Sequence, residues 1–165
     1  MNLEILFELQ KKLDAKIHQK RKITHPEFSD KNIKTQKMLA LIIEAAEYVN
    51  EVQSFKYWKN NKNINIEAIK EEFADLMHFL ITIGYEHDVN PNFEPKIISN
   101  DINEQFKELF ISISNLISNS NSQNVIYVFE IALGSFTMQG FSFSELFWSY
   151  FKKNQKNYKR LYSNY

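Results

Sequence analysis

The chain has 165 residues, with 20 Lys+Arg against 20 Asp+Glu, no cysteine, three glycines and three prolines. That length suits one domain, expected over residues 1–165, and a hydrophobic share of 44% is too apolar for a disordered chain. The zero net charge argues against a broad grip on nucleic acid, and the missing thiols remove disulfides, zinc–thiolate sites and cysteine nucleophiles. Scarce turn residues favour an all-α protein over a many-turned sandwich or barrel.

In chain order, Leu3, Leu6, Phe7, Leu9, Leu13 and Ile17 recur at helical spacing and predict a helix from about 2 to 20. A basic stretch, Lys20–Lys22, and His25-Pro26 follow as a loop. A long pattern from about 33 to 59 carries Leu41, Ala45, Tyr48, Val52 and Phe55 on one stripe. After the polar connection Asn60–Asn65, a third helix is expected from about 66 to 87, with Ile69, Phe73, Leu76, Leu80 and Ile83 on its buried side. Asn90-Pro91 and Glu94-Pro95 mark the longest loop. Helical spacing resumes from about 101 to 117 and from 125 to 138. Beyond Gly140, a last helix capped by Ser142 or Ser144 runs to about Leu161. The expectation is an all-α bundle of about six helices. No signal-like leader and no bilayer-length apolar run stands out, so the chain reads as soluble and cytoplasmic, without a membrane partner.

Two helices carry carboxylates in apolar surroundings. In Leu39-Ala40-Leu41-Ile42-Ile43-Glu44-Ala45-Ala46-Glu47, the two glutamates share much the same face, and Glu72-Phe73-Ala74-Asp75 repeats the pattern on the next helix. Such groups repel one another and lose hydration unless cations compensate. A short connection makes the two helices an antiparallel hairpin, on which Glu44, Glu47, Glu72 and Asp75 can face one another. An all-oxygen set suits Mg²⁺, with Mn²⁺ the alternative, and Mg²⁺ commonly bridges to phosphate, which points to a nucleotide or similar polyphosphate. A solvated E-x-x-E face is the bland alternative. Asp75 and His78 also look like half of a di-iron motif, but a second copy is missing.

The segments Glu44-Ala45-Ala46-Glu47, Phe55-Lys56-Tyr57-Trp58-Lys59 and Glu72-Phe73-Ala74-Asp75-Leu76-Met77-His78-Phe79 resemble those of the dimeric all-α dUTP diphosphatases, within the wider MazG-like pyrophosphohydrolases. Leu9-Gln10-Lys11-Lys12-Leu13-Asp14 is similar to the family's uracil-pocket element L-Q-x-x-L-[ND]. Lys153-Asn154-Gln155-Lys156-Asn157-Tyr158-Lys159-Arg160 resembles its phosphate-gripping tail motif K-N-x-x-N-x-x-R. Past it, Leu161 and Asn164 depart from the usual Gln and Gly, while Tyr165 fits.

The resemblance implies Mg²⁺-dependent cleavage of dUTP, with dUDP a second candidate, to dUMP and pyrophosphate by a homodimer. Glu44, Glu47, Glu72 and Asp75 would hold metal, and Glu44 or Glu47 would activate the water. Gln10, Asp14, Asp75, His78 and Asn157 would meet the nucleoside, and Lys153 and Arg160 the phosphates. Lys56 and Lys59 serve either the anion or the helix C-terminus, and Trp58 either stacks on the base or fills the core. A pyrophosphohydrolase of other specificity and a non-catalytic helical binding protein are the alternatives.

Overall fold

The computed structural model describes residues 1–163, and Asn164 and Tyr165, where the tail motif ends, lie outside the described residues. Among the described residues the regular structure is six helices and no strand: α1 (Glu4–Thr24), α2 (Asp30–Val52), α3 (Ile66–Glu86), α4 (Ile102–Ser118), α5 (Ser122–Met138) and α6 (Phe143–Leu161). Side-chain caps set most of the starts. Ser29 and Asn32 form a capping box at α2, and Ser142 and Glu145 form one at α6, so Ser142 rather than Ser144 is the cap. Asn65, Asp101 and Asn121 accept backbone N–H groups at the starts of α3, α4 and α5.

The expected reach of the second helix to residue 59 is corrected. It ends at Val52, where Gln53 takes a left-handed conformation (φ 56°) and its N–H reaches the Val49 carbonyl. Turns follow, with Lys56 N–H donating to Gln53 O and Lys59 N–H to Lys56 O. A helix is held mainly by a buried apolar face, and this stretch has none: Tyr57 is 90% exposed and Trp58 60%.

α3 is the central element, touching α1, α2, α5 and α6, and its residues from Phe73 to Gly84 are mostly buried. One apolar cluster draws on all six helices. Within it Phe73 stacks on Phe136 at 4.3 Å between ring centroids, and Tyr48 meets Phe73 edge-on at 5.0 Å. α2 and α3 run antiparallel: Lys37 pairs with Glu86 at one end, Glu44 lies beside Asp75 further along, and Gln53 bonds the Asn63 carbonyl at the other end. α1 lies alongside α3 in the same direction, Gln10 meeting His78 while Asp14 meets Thr82 and Tyr85. The N-terminus is tied to the α3–α4 loop by Leu3 N–H to Pro91 O (2.7 Å) and Phe93 N–H to Met1 O (2.9 Å).

Candidate active site

Where α1, α2, α3 and α6 meet, a cavity of about 650 Å³ opens, with Gln10, Asp14, Glu44, Asp75, His78 and Arg160 among its walls. Glu44 enters it from α2, beside the Leu41, Ala45 and Tyr48 side chains that pack into the core. Asp75 enters from α3 between the buried Ala74 and Leu76.

Glu44, Glu72 and Asp75 each offer a carboxylate oxygen, and these oxygens lie within 4.8 Å of one another. Burial, and then the neighbouring charges of Asp75, Glu47 and Glu72, push the Glu44 carboxyl up to about 7. Burial and the Asp75 charge raise Glu72, and burial raises Asp75 despite its bond from Lys153. Three half-buried anions crowded this closely make an all-oxygen donor set that lacks sufficient positive charge, which fits a hard divalent cation. Glu47 is exposed and stands outside this group, near enough for its charge to raise Glu44 and Glu72. No histidine joins the cluster among the described residues, so the half di-iron pattern of Asp75 and His78 does not extend to a shared ligand set.

Lys153 on α6 is buried, with its ammonium on Asp75 and, at 2.9 Å, on Glu71. Glu71 also receives Lys156 at 2.7 Å, and these two hydrogen bonds hold its carboxyl down at about 2. Burial works against the Lys153 charge, but the bonds to Asp75 and Glu71 more than offset it and keep its pKa above the usual lysine value. Glu71 is absent from the expected site because an exposed-looking glutamate beside Glu72 carries no signal in sequence.

The floor of the cavity is a polar network. Gln10 is 3% exposed. Its Nε2 donates to Asp14 Oδ1 (2.9 Å) and Thr82 Oγ1 (3.1 Å), while its Oε1 accepts from Tyr150 OH (2.5 Å) and meets His78 Nδ1 at 2.6 Å. Asp14 Oδ2 accepts from Thr82 (2.6 Å) and Tyr85 (2.7 Å). With both ends of its carboxamide committed, Gln10 holds the floor of the cavity rather than presenting a free edge to a base. His78 stacks on Tyr150 at 4.1 Å, and burial pushes its pKa down to about 3, so the ring is neutral. Tyr150, Thr82 and Tyr85 went unseen in the sequence. Thr82 is the one with a signal, four residues beyond His78 on the same face.

Asn157 and Arg160 line the cavity, and an Arg160 N–H donates to Asn157 Oδ1 at 3.4 Å. Lys56, Trp58 and Lys59 do not line it. Lys56 donates to the Asn50 carbonyl (3.2 Å), meeting the exposed end of α2, and Lys59 reaches Gln53 (3.5 Å). Trp58 neither fills the core nor faces this cavity; it packs edge-on against Phe55 and Tyr57 at the surface.

Among the described residues no single helix is long and apolar enough to cross a membrane. No curated protein matches the chain. A family model described as dUTPase matches residues 2–165. That family implies a nucleotide substrate and a divalent metal, and the Glu44–Glu72–Asp75 cluster is a set able to bind one. The chain therefore belongs to the dimeric all-α dUTPase family and is a dUTP diphosphatase, hydrolysing dUTP to dUMP and pyrophosphate.

Proposed function

We propose that the reaction depends on Mg²⁺ held by Glu44, Glu72 and Asp75, with Glu47 at the rim of the same site. The observation that carries this reading is the convergence of three carboxylates from two helices at one wall of the cavity. Bound there, Mg²⁺ supplies charge neutralisation for the triphosphate and acidifies a water. Mn²⁺, with the same preference for oxygen donors, substitutes.

The chain's own residues do the rest. Glu44, which reaches into the cavity from α2 beside Asp75, orients the attacking water and takes its proton. The water oxygen forms a bond to phosphorus, the bond between the α- and β-phosphates breaks, and pyrophosphate leaves with its electron pair. Lys153 and Arg160, seven residues apart on one face of α6, meet the phosphates. The nucleoside lies over the floor built by Asp14, Gln10 and His78, with Asn157 beside it.

The working unit is a homodimer in the cytoplasm, acting on dUTP in the free nucleotide pool and not on nucleic acid or a membrane. Exposed Trp148 (58%) and the exposed aromatics of the α2–α3 connection supply apolar surface for a second copy. Sedimentation or light scattering should give twice the 19.7 kDa chain mass.

The central experiment is a turnover panel of dUTP, dUDP, dTTP, dCTP and UTP, with Mg²⁺, Mn²⁺ or a chelator. dUTP should lead, and the chelator should abolish turnover. Equal rates on dTTP and dUTP would sink uracil selection, and full activity in chelator would sink the metal assignment.

A further inference from the structure

Lys153 stands against one member of the carboxylate cluster. Its ammonium lies on Asp75, one of the three converging carboxylates, and its side chain is buried. The three carboxylate oxygens lie within 4.8 Å of one another, and the Lys153 charge acts on all three groups, lowering the proton affinity of Glu44, Glu72 and Asp75 alike. A divalent cation on Asp75 would compete with the ammonium for that carboxylate's charge and repel it at short range, which weakens the Lys153–Asp75 pair. Lys153 has a second anchor that the metal does not use. Glu71 Oε1, which is not among the three converging oxygens, accepts from Lys153 at 2.9 Å and from Lys156 at 2.7 Å.

We propose that Lys153 is the counter-ion of the metal-free cluster, and that Glu71 is the positioning residue that keeps it once a divalent cation takes Asp75. On this account the metal displaces the ammonium from Asp75 without expelling it from the site. Glu71 retains it on α6 beside the incoming phosphates, the role the proposed function assigns it. The inference rests on that reading of the carboxylates as metal ligands. It adds an order of events, in which cation entry frees one face of Lys153 and so prepares the anion site. It also gives a function to Glu71, whose two lysine partners would otherwise be an ordinary surface cluster.

The first measurement uses the wild-type protein with no nucleotide. The Lys153 ammonium resonance, protected from exchange by its two ion pairs, is followed by nitrogen-detected NMR during titration with Mg²⁺. It should shift and lose protection at the same Mg²⁺ concentration that raises Tm. If Mg²⁺ binds and the resonance stays unchanged, the displacement is wrong while the metal site stands. If Mg²⁺ and Mn²⁺ do not bind at all, the metal reading itself fails.

The second measurement is Mn²⁺ affinity by the loss of the free-ion EPR signal. Lys153→Met removes the competitor and should tighten Mn²⁺ about 3- to 10-fold, whereas Lys156→Met, which removes an equal charge from Glu71 alone, should change it less than about 2-fold. Glu71→Gln should weaken Mn²⁺ by about 3-fold, because Lys153 then has only Asp75. Equal tightening in the two lysine variants would show a general field effect and overturn the proposal. Should Lys153→Met fail to fold, the wild-type NMR titration still decides the matter.

Discussion

Asp75 on α3 brings its carboxylate within 4.8 Å of Glu44 on α2, and its charge helps to push the Glu44 carboxyl up to about 7. The pair joins two helices that the chain links only through an exposed turn. It also makes the metal-free protein sensitive to pH in a definite direction. A carboxyl near 4.5 when unfolded and about 7 when folded binds more protons in the folded state between those values. Stability is therefore full below about 4.5 and is lost as pH rises through 7. A shift of that size is worth about 3 kcal/mol before screening, and solvent around the half-exposed group reduces it to about 1–2 kcal/mol. Thermal melts in chelator should show Tm falling from pH 5 to pH 8, and Glu44→Gln should flatten the slope. Mg²⁺ should raise Tm most at the upper end of that range.

Asp75→Asn removes one ligand and one repelling charge together. Its kcat for dUTP should fall about 100-fold or more, as for loss of a group that acts in the transition state. The Mg²⁺-induced rise in Tm should shrink in parallel. A variant with near-normal kcat and a normal metal response would remove Asp75 from the site.

Gln10 is the joint of the buried network, bonded to Asp14, Thr82, His78 and Tyr150. Gln10→Leu keeps the volume but strands several buried polar partners, and each unpaired group costs about 1–3 kcal/mol. Urea melts should show a loss of about 2–4 kcal/mol, larger than for the exposed Lys11→Leu, which stays within about 0.5 kcal/mol.

Gly134 is demanded by close approach. A Cβ there would stand 2.0 Å from the Lys96 carbonyl oxygen and 2.9 Å from Gln105 Nε2. The same carbonyl accepts from Gln105 (2.8 Å), and Lys96 N–H donates to the Glu130 carbonyl (2.8 Å), so the α3–α4 loop is fastened against α5 and cannot retreat freely. Gly134→Ala should destabilise by about 2–3 kcal/mol in equilibrium unfolding while leaving KM for dUTP unchanged.

The helices and their starts were readable because capping residues and apolar spacing act within a few residues of one another. Asn65 before the third helix and Ser142 before the last are local signals, and α1 to α6 appear close to where the periodicity put them. The exception is the end of α2. Spacing alone carried the helix on through Phe55 to Lys59, but nothing lies beneath that stretch to bury its apolar side chains, and the helix stops at Val52. Whether a neighbouring surface exists is not a local property.

The same division holds for the site. The sequence by itself determined that carboxylates stand in apolar company on two successive helices, because an ionised group at a core-flanking position is costly wherever the helix packs. It also determined the all-α class and, through spaced motifs, the kinship with dUTP diphosphatases. Only the tertiary structure decided that Glu44, Glu72 and Asp75 converge while Glu47 stays exposed outside that group. The packing of α6 against α3 likewise put Lys153 on Asp75 and Glu71, and the packing of α1 turned Gln10 from an expected reader of the base into a buried joint. Those outcomes depend on how helices are rotated and brought together across the fold. Charges and hydrogen-bond partners meet through that packing, not through their spacing along the chain.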